Sequence, residues 1–155
     1  MRPIAVLEVD GVLALDDPCV PVVETVVHTC GHRWARPIKI PVGAADVLHR
    51  LAAEFDVVWA SSWSHNAHPA LQEALDLPTE PWPFLPVQFR KLTAIRTHAA
   101  GRPWAWIDDA IHDLGPIPEP KDGLLVPVDP RVGIMAVDPV ALREEVFERV
   151  TTRLS

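Results

Sequence analysis

The segment Ile4-Ala5-Val6-Leu7-Glu8-Val9-Asp10-Gly11 constrains this chain more than any other. Residues Ile4 to Val9 form an apolar run that closes on acids and a glycine, the pattern of a buried parallel strand whose carboxyl end opens into a loop. Such strands recur. Asp56-Val57-Val58-Trp59-Ala60 reads as a second, Pro103-Trp104-Ala105-Trp106-Ile107 as a third that ends in Asp108-Asp109, and Leu124 to Val128 as a fourth that ends in Asp129-Pro130.

Helical spacing fills the intervals. Val47, Leu48, Leu51 and Phe55 predict a helix over Ala44 to Phe55, and further helices are expected over Asn66 to Leu75 and Lys91 to Ala100. Asp138 followed by Pro139 supplies an N-cap and a proline at the first helical position, and Leu142, Val146 and Val150 carry a last helix to about Leu154. Four prolines between Leu77 and Pro86 make that stretch an irregular connection. Alternating strands and helices of this length point to an α/β domain with a doubly wound parallel sheet. The 155 residues fit one such domain.

One interval departs from this rhythm. β-branched residues on both sides of Thr29-Cys30-Gly31-His32 predict a β-hairpin over residues 20–40, after the first strand, with Pro21 and Pro37 pushing it toward an edge or a projecting flap.

Composition removes several function classes. A formal charge of -7 argues against a protein that blankets nucleic-acid phosphates, although a local site for a nucleic-acid end stays open. No apolar run is long enough to span a bilayer and the amino terminus does not read as a secretory signal, so a cytoplasmic protein with no membrane partner is expected. Two cysteines, Cys19 and Cys30, make no disulfide framework and are expected to be reduced thiols.

The predicted elements deliver polar residues to one rim of the sheet in the order Glu8 and Asp10, Ser61 and Ser62, Lys91, and Asp108 with Asp109. Together they suit phosphoryl transfer, which needs a cation on the phosphate oxygens, an in-line nucleophile, a proton donor for the leaving oxygen and further donors around the phosphate. Mg²⁺ prefers oxygen ligands and keeps several waters, and Glu8, Asp10, Asp108 and Asp109 can supply carboxylates. Acids clustered this tightly themselves call for a counter-ion.

Glu8 to Leu13, Trp59-Ala60-Ser61-Ser62-Trp63, Phe89-Arg90-Lys91, Trp106-Ile107-Asp108-Asp109 and Val128 to Gly133 resemble the motifs of the haloacid dehalogenase (HAD) superfamily. They are most similar to the short capless HAD domains associated with RNA-repair proteins. The resemblance runs from about residue 4 to residue 135. It implies that Asp10 is the general acid and base and, through its backbone carbonyl, a metal ligand, that Ser61 or Ser62 binds the phosphate, and that Lys91 holds the nucleophile and the phosphate charge. Asp108 with Asp109 would hold Mg²⁺, and the hairpin would correspond to the family's flap.

The first Asp of that family's leading motif, its nucleophile, is Glu8 here. The extra methylene moves the attacking oxygen by roughly an ångström, enough to cost on the order of a hundredfold where in-line geometry matters. Two readings follow: a Mg²⁺-dependent phosphomonoester hydrolase (phosphatase) in which Glu8 attacks or orients water, and an attenuated or inactive relative that binds phosphate or a protein. A two-component receiver domain also combines acids, a hydroxyl and Lys, but its acids precede the other two, and here the acidic pair follows Lys91.

Four lesser signals complete the reading. His65 and His68 follow the Ser61-Ser62 segment and are candidate substrate contacts, as is Arg131 after the fourth strand. Trp34 and Trp63 are the tryptophans available to stack on a substrate, whereas Trp59, Trp104 and Trp106 belong to strands and the core. His28, Cys30 and His32 alternate and would share a face for a transition metal, unless a turn at Gly31 breaks the alternation.

Overall fold

The computed structural model describes residues 2–31, 33–86 and 90–154. Four parallel strands form its sheet: β1 (Ile4–Leu7), β4 (Asp56–Trp59), β5 (Trp104–Asp108) and β6 (Gly123–Pro127), in the order β4-β1-β5-β6. An antiparallel pair, β2 (Val22–Thr29) and β3 (Trp34–Pro41), makes the expected hairpin after β1. The helices are α1 (Ala44–Glu54), α2 (Ala67–Leu75), α3 (Lys91–Ala99) and α4 (Pro139–Leu154). The α/β class and the parallel sheet are as the sequence predicts. The helix expected from Asn66 starts one residue later, after a 3-10 turn over Ser64–Asn66.

Period-two alternation builds two cores. Ala5, Leu7, Val57, Trp59, Ala105 and Ile107 face α1, α2 and α4, and Val27 and Ile40 of the hairpin join the same cluster. Ile4, Val6, Val58, Trp104 and Trp106 face the other way, onto Ile95 and Ala99 of α3. Helices therefore cover both faces, which is why the strands are apolar throughout. Trp59, Trp104 and Trp106 are core residues, as expected.

The hairpin has only two strands, so each keeps an open edge, and Pro37 can sit within β3 opposite Val26 without removing a sheet hydrogen bond that must be made. Asp138 caps α4 as predicted, its Oδ1 accepting from Val140 N at 3.1 Å and Ala141 N at 3.2 Å. Asp138→Ala should cost about 1 kcal/mol, read as a lower midpoint in urea with an unchanged slope. No helix among the described residues is long and apolar enough to cross a membrane.

The strand order decides where a ligand can enter. From β1 the chain moves to β4 on one side and then returns past β1 to β5 on the other, so the connections leaving β1 and β5 diverge. A crevice opens at the carboxyl ends of these two neighbours, the usual ligand position in such sheets. Gly133 locks the β1 loop there. At its φ of +61° a Cβ would lie 2.2 Å from Val12 O, and the next amide, Ile134 N, donates to that oxygen at 2.8 Å.

Candidate active site

The loop after β1 is wound tightly: Val9 O accepts from Leu13 N at 2.8 Å and from Ala14 N at 3.0 Å, and Gly11 N donates to Ala14 O at 2.9 Å. This turn sends Glu8 inward and leaves Asp10 exposed on the rim. Gly11 takes a φ of +79° and a Cβ there would fall 2.3 Å from Asp109 Oδ2, so the absence of a side chain lets the β5 loop lie on the β1 loop.

Lys91 opens α3 and reaches across the crevice. Its Nζ donates to Glu8 Oε2 at 2.6 Å and to Asp108 Oδ2 at 2.8 Å, with the Lys91 side chain 13% exposed and that of Asp108 fully buried. The remaining carboxylate oxygens are also engaged. Glu8 Oε1 accepts from Val9 N at 2.7 Å, Asp108 Oδ1 accepts from Ala110 N at 2.9 Å, and Trp106 Nε1 donates to Asp108 Oδ2 at 3.1 Å. Burial works to lower the Lys91 pKa, but the charges and hydrogen bonds of Glu8 and Asp108 outweigh it and hold the ammonium above its ordinary value.

Asp10 and Asp109 face the open side. Both line a cleft of about 780 Å³ whose opposite wall is the hairpin, including Thr25, Arg36, Ile38 and Lys39. Trp63 Nε1 donates to Asp10 Oδ2 at 3.1 Å, fixing that carboxylate, and the Arg36 guanidinium lies 4.1 Å from the centre of the Trp63 ring. The hairpin is tied down a second time where Cys30 N donates to Asn66 Oδ1 at 3.0 Å.

The serines part company. Ser61 is buried and its Oγ accepts from Trp63 N at 3.2 Å, whereas Ser62 is exposed. Other expectations need revision. Trp63 is 3% exposed and offers Asp10 its indole N–H rather than a free stacking face to a substrate. His65 packs on Phe84, away from the cleft-lining residues. His68 is buried, with Nδ1 accepting from Trp82 N and Trp59 Nε1 and Nε2 against Pro78 O, so it anchors the proline-rich connection. Arg131 is exposed and turned onto Asp129.

The alternation of His28, Cys30 and His32 fails because β2 ends at Thr29 and Cys30 turns at a φ of +54°. His32 lies outside the described residues, as does Phe89 beside Lys91. Cys19 and Cys30 are free and exposed, as expected. Trp34 is exposed near the hairpin turn.

The donors fit a hard cation. Glu8 and Asp108 meet the Lys91 ammonium, and beside them burial, a hydrogen bond that its protonated form makes to Asp108, and repulsion from Asp108 and Glu8 push the Asp109 pKa up to about 6. Among the described residues no three His, Cys, Asp or Glu side chains converge as a ready cage, because Lys91 stands between Glu8 and Asp108. Asp10 and Asp109 remain turned to the cleft, and one or two carboxylates completed by water and a phosphate are a common Mg²⁺ arrangement.

Asp109 sets a pH dependence. Its folded pKa exceeds the ordinary carboxylate value, so the fold without metal loses stability as pH rises from about 4 to about 6. A cation held by Asp109 would need the ionised form and would bind more weakly below about pH 6. Titration calorimetry across this range is expected to show that loss, and Asp109→Asn is expected to flatten it.

Comparison with protein-family models, curated proteins and solved structures finds no match for this chain. Arg36 is a cleft residue that motif spacing did not single out. The signal available was parity: Arg36 shares an inward hairpin face with Ile38 and Ile40, where an apolar residue would be routine.

Proposed function

We propose that this chain is a HAD-type, capless, Mg²⁺-dependent phosphomonoester hydrolase, with the β2–β3 hairpin as its flap. The observation that carries the reading is the Lys91 bridge between the β1 and β5 carboxylates at the divergence of the sheet, directly behind an exposed, oriented Asp10. Asp109, with Asp10 through its backbone carbonyl, would hold Mg²⁺, which when bound supplies charge neutralisation for the phosphate oxygens.

The chain's own groups divide the remaining work. Lys91 holds Glu8 pinned at the floor of the crevice. Glu8 serves as nucleophile or holds the attacking water. Asp10, fixed by Trp63, gives a proton to the leaving oxygen and takes one from water, so that an alcohol and inorganic phosphate are released. A substrate bearing a phosphomonoester, small or at a nucleic-acid end, fits the open cleft.

A second reading has its own observation. Both Glu8 oxygens are hydrogen-bonded and its side chain is 11% exposed, which suits a phosphate-binding domain without turnover. Release of inorganic phosphate from small phosphomonoesters and from 3′- or 5′-phosphorylated oligonucleotides, with Mg²⁺ or with chelator, separates the two. Mg²⁺-dependent turnover by this chain is the expected result. Turnover by Glu8→Asp alone would favour the binding domain, and silence from both would reject the hydrolase.

A further inference from the structure

We infer that Arg36 is an anion-recognition residue for a second negatively charged group of the substrate, distinct from the phosphate at the strand ends. This rests on the phosphomonoester reading above and deepens it. Lys91, the cation at the crevice floor, already donates to both Glu8 and Asp108. Arg36 lines the cleft with Asp10 and Asp109 and lies over the Trp63 ring, whose indole N–H donates to Asp10.

Its guanidinium makes no ion pair among the described residues, even though Asp10, Asp16, Glu24 and Asp109 line the same cleft. An arginine left unpaired amid carboxylates is held by something else, and here that is the Trp63 ring beneath one face. Stacking fixes the planar group in advance while leaving its edge N–H donors open, so an anion can be taken with little further loss of side-chain entropy. Phosphate and carboxylate match that fork. The cleft volume of about 780 Å³ suits a small doubly anionic molecule.

The test is binding of alkylphosphonates and matched α,ω-alkylene bisphosphonates of increasing chain length, whose P–C bonds are not hydrolysed, by calorimetry with excess Mg²⁺. At one chain length the bisphosphonate should bind about tenfold or more tightly than its monophosphonate, the size of one charge-assisted contact. Arg36→Ala should erase that margin and leave monophosphonate affinity unchanged. Arg36→Met, which keeps an apolar stem over Trp63, should do the same and guards against an unfolded Ala variant.

Equal weakening of both probes would overturn the inference, because Arg36 would then act on the first phosphate or on Asp10 through Trp63. Absence of a bisphosphonate preference at every length would also overturn it while leaving the hydrolase reading intact. Absence of any Mg²⁺-dependent monophosphonate binding would overturn both.

Discussion

Lys91→Met should destabilise the fold by about 3–5 kcal/mol and abolish Mg²⁺-dependent phosphate release. The loss of stability comes from what is left behind rather than from the lost pair itself. Asp108 is fully buried and Glu8 nearly so, and both would face each other across the crevice without the ammonium that now separates them. Methionine matches the length of the lysine stem, so a cavity contributes little. Urea denaturation of the two chains measures the effect, and a loss below about 1 kcal/mol would mean that the pair behaves like an exposed one. The lysine's contribution has a definite pH sign. Its folded pKa is raised, so the stabilisation is present below the unfolded lysine pKa and disappears as pH climbs through the folded value. Stability of the parent chain should therefore fall at strongly alkaline pH, and the Met variant should lack that component.

Asp10→Asn should lower turnover by about 10²–10⁴-fold with little change in stability. Asp10 is exposed and its one hydrogen bond, from Trp63 Nε1, can be accepted equally by the asparagine oxygen. The substitution removes proton transfer and leaves the geometry. Trp63→Phe is the complementary change: it keeps the ring under Arg36 but deletes the donor that orients Asp10. Its effect should appear mainly in kcat and in the pH profile of turnover, with substrate affinity preserved. Steady-state kinetics on any substrate found by phosphate release would check both. Full activity in Asp10→Asn would remove Asp10 from the acid and base role.

The two sets of contacts explain why the acids of the site behave differently although their sequence positions look alike. Asp108 and Asp109 are adjacent residues at a strand end, and nothing in the sequence ranks them. In the structure the last residue of β5 points into the sheet, where Lys91, Trp106 and a backbone amide satisfy Asp108. The next residue turns outward over Gly11, where Asp109 meets the cleft and holds its proton up to about pH 6. The same logic separates Ser61, whose oxygen closes a turn onto Trp63 N, from exposed Ser62. One residue of pleat or turn is enough to exchange a structural role for one facing the ligand.

Local pattern was sufficient wherever a short-range rule governs. The runs at Ile4, Asp56, Trp104 and Leu124, the helical spacings, the Asp138-Pro139 start of α4 and the hairpin around Gly31 are all periodicities or caps that a few residues encode, and each element lies within two residues of its expected bounds. The arrival of Glu8, Asp10, Lys91 and the acidic pair at one rim follows from the same source, since parallel strands place all their carboxyl ends together. Pairings between residues far apart in the chain were not legible. That Lys91 joins Glu8 to Asp108, that Trp63 serves Asp10 instead of a substrate, that His68 anchors a loop, and that Arg36 enters the cleft from the hairpin all depend on strand order and on how the hairpin folds back over α2. Backbone rules act over a few residues and leave their mark on sequence. A side chain's partner is chosen by packing across the whole molecule, and only the tertiary structure decides it.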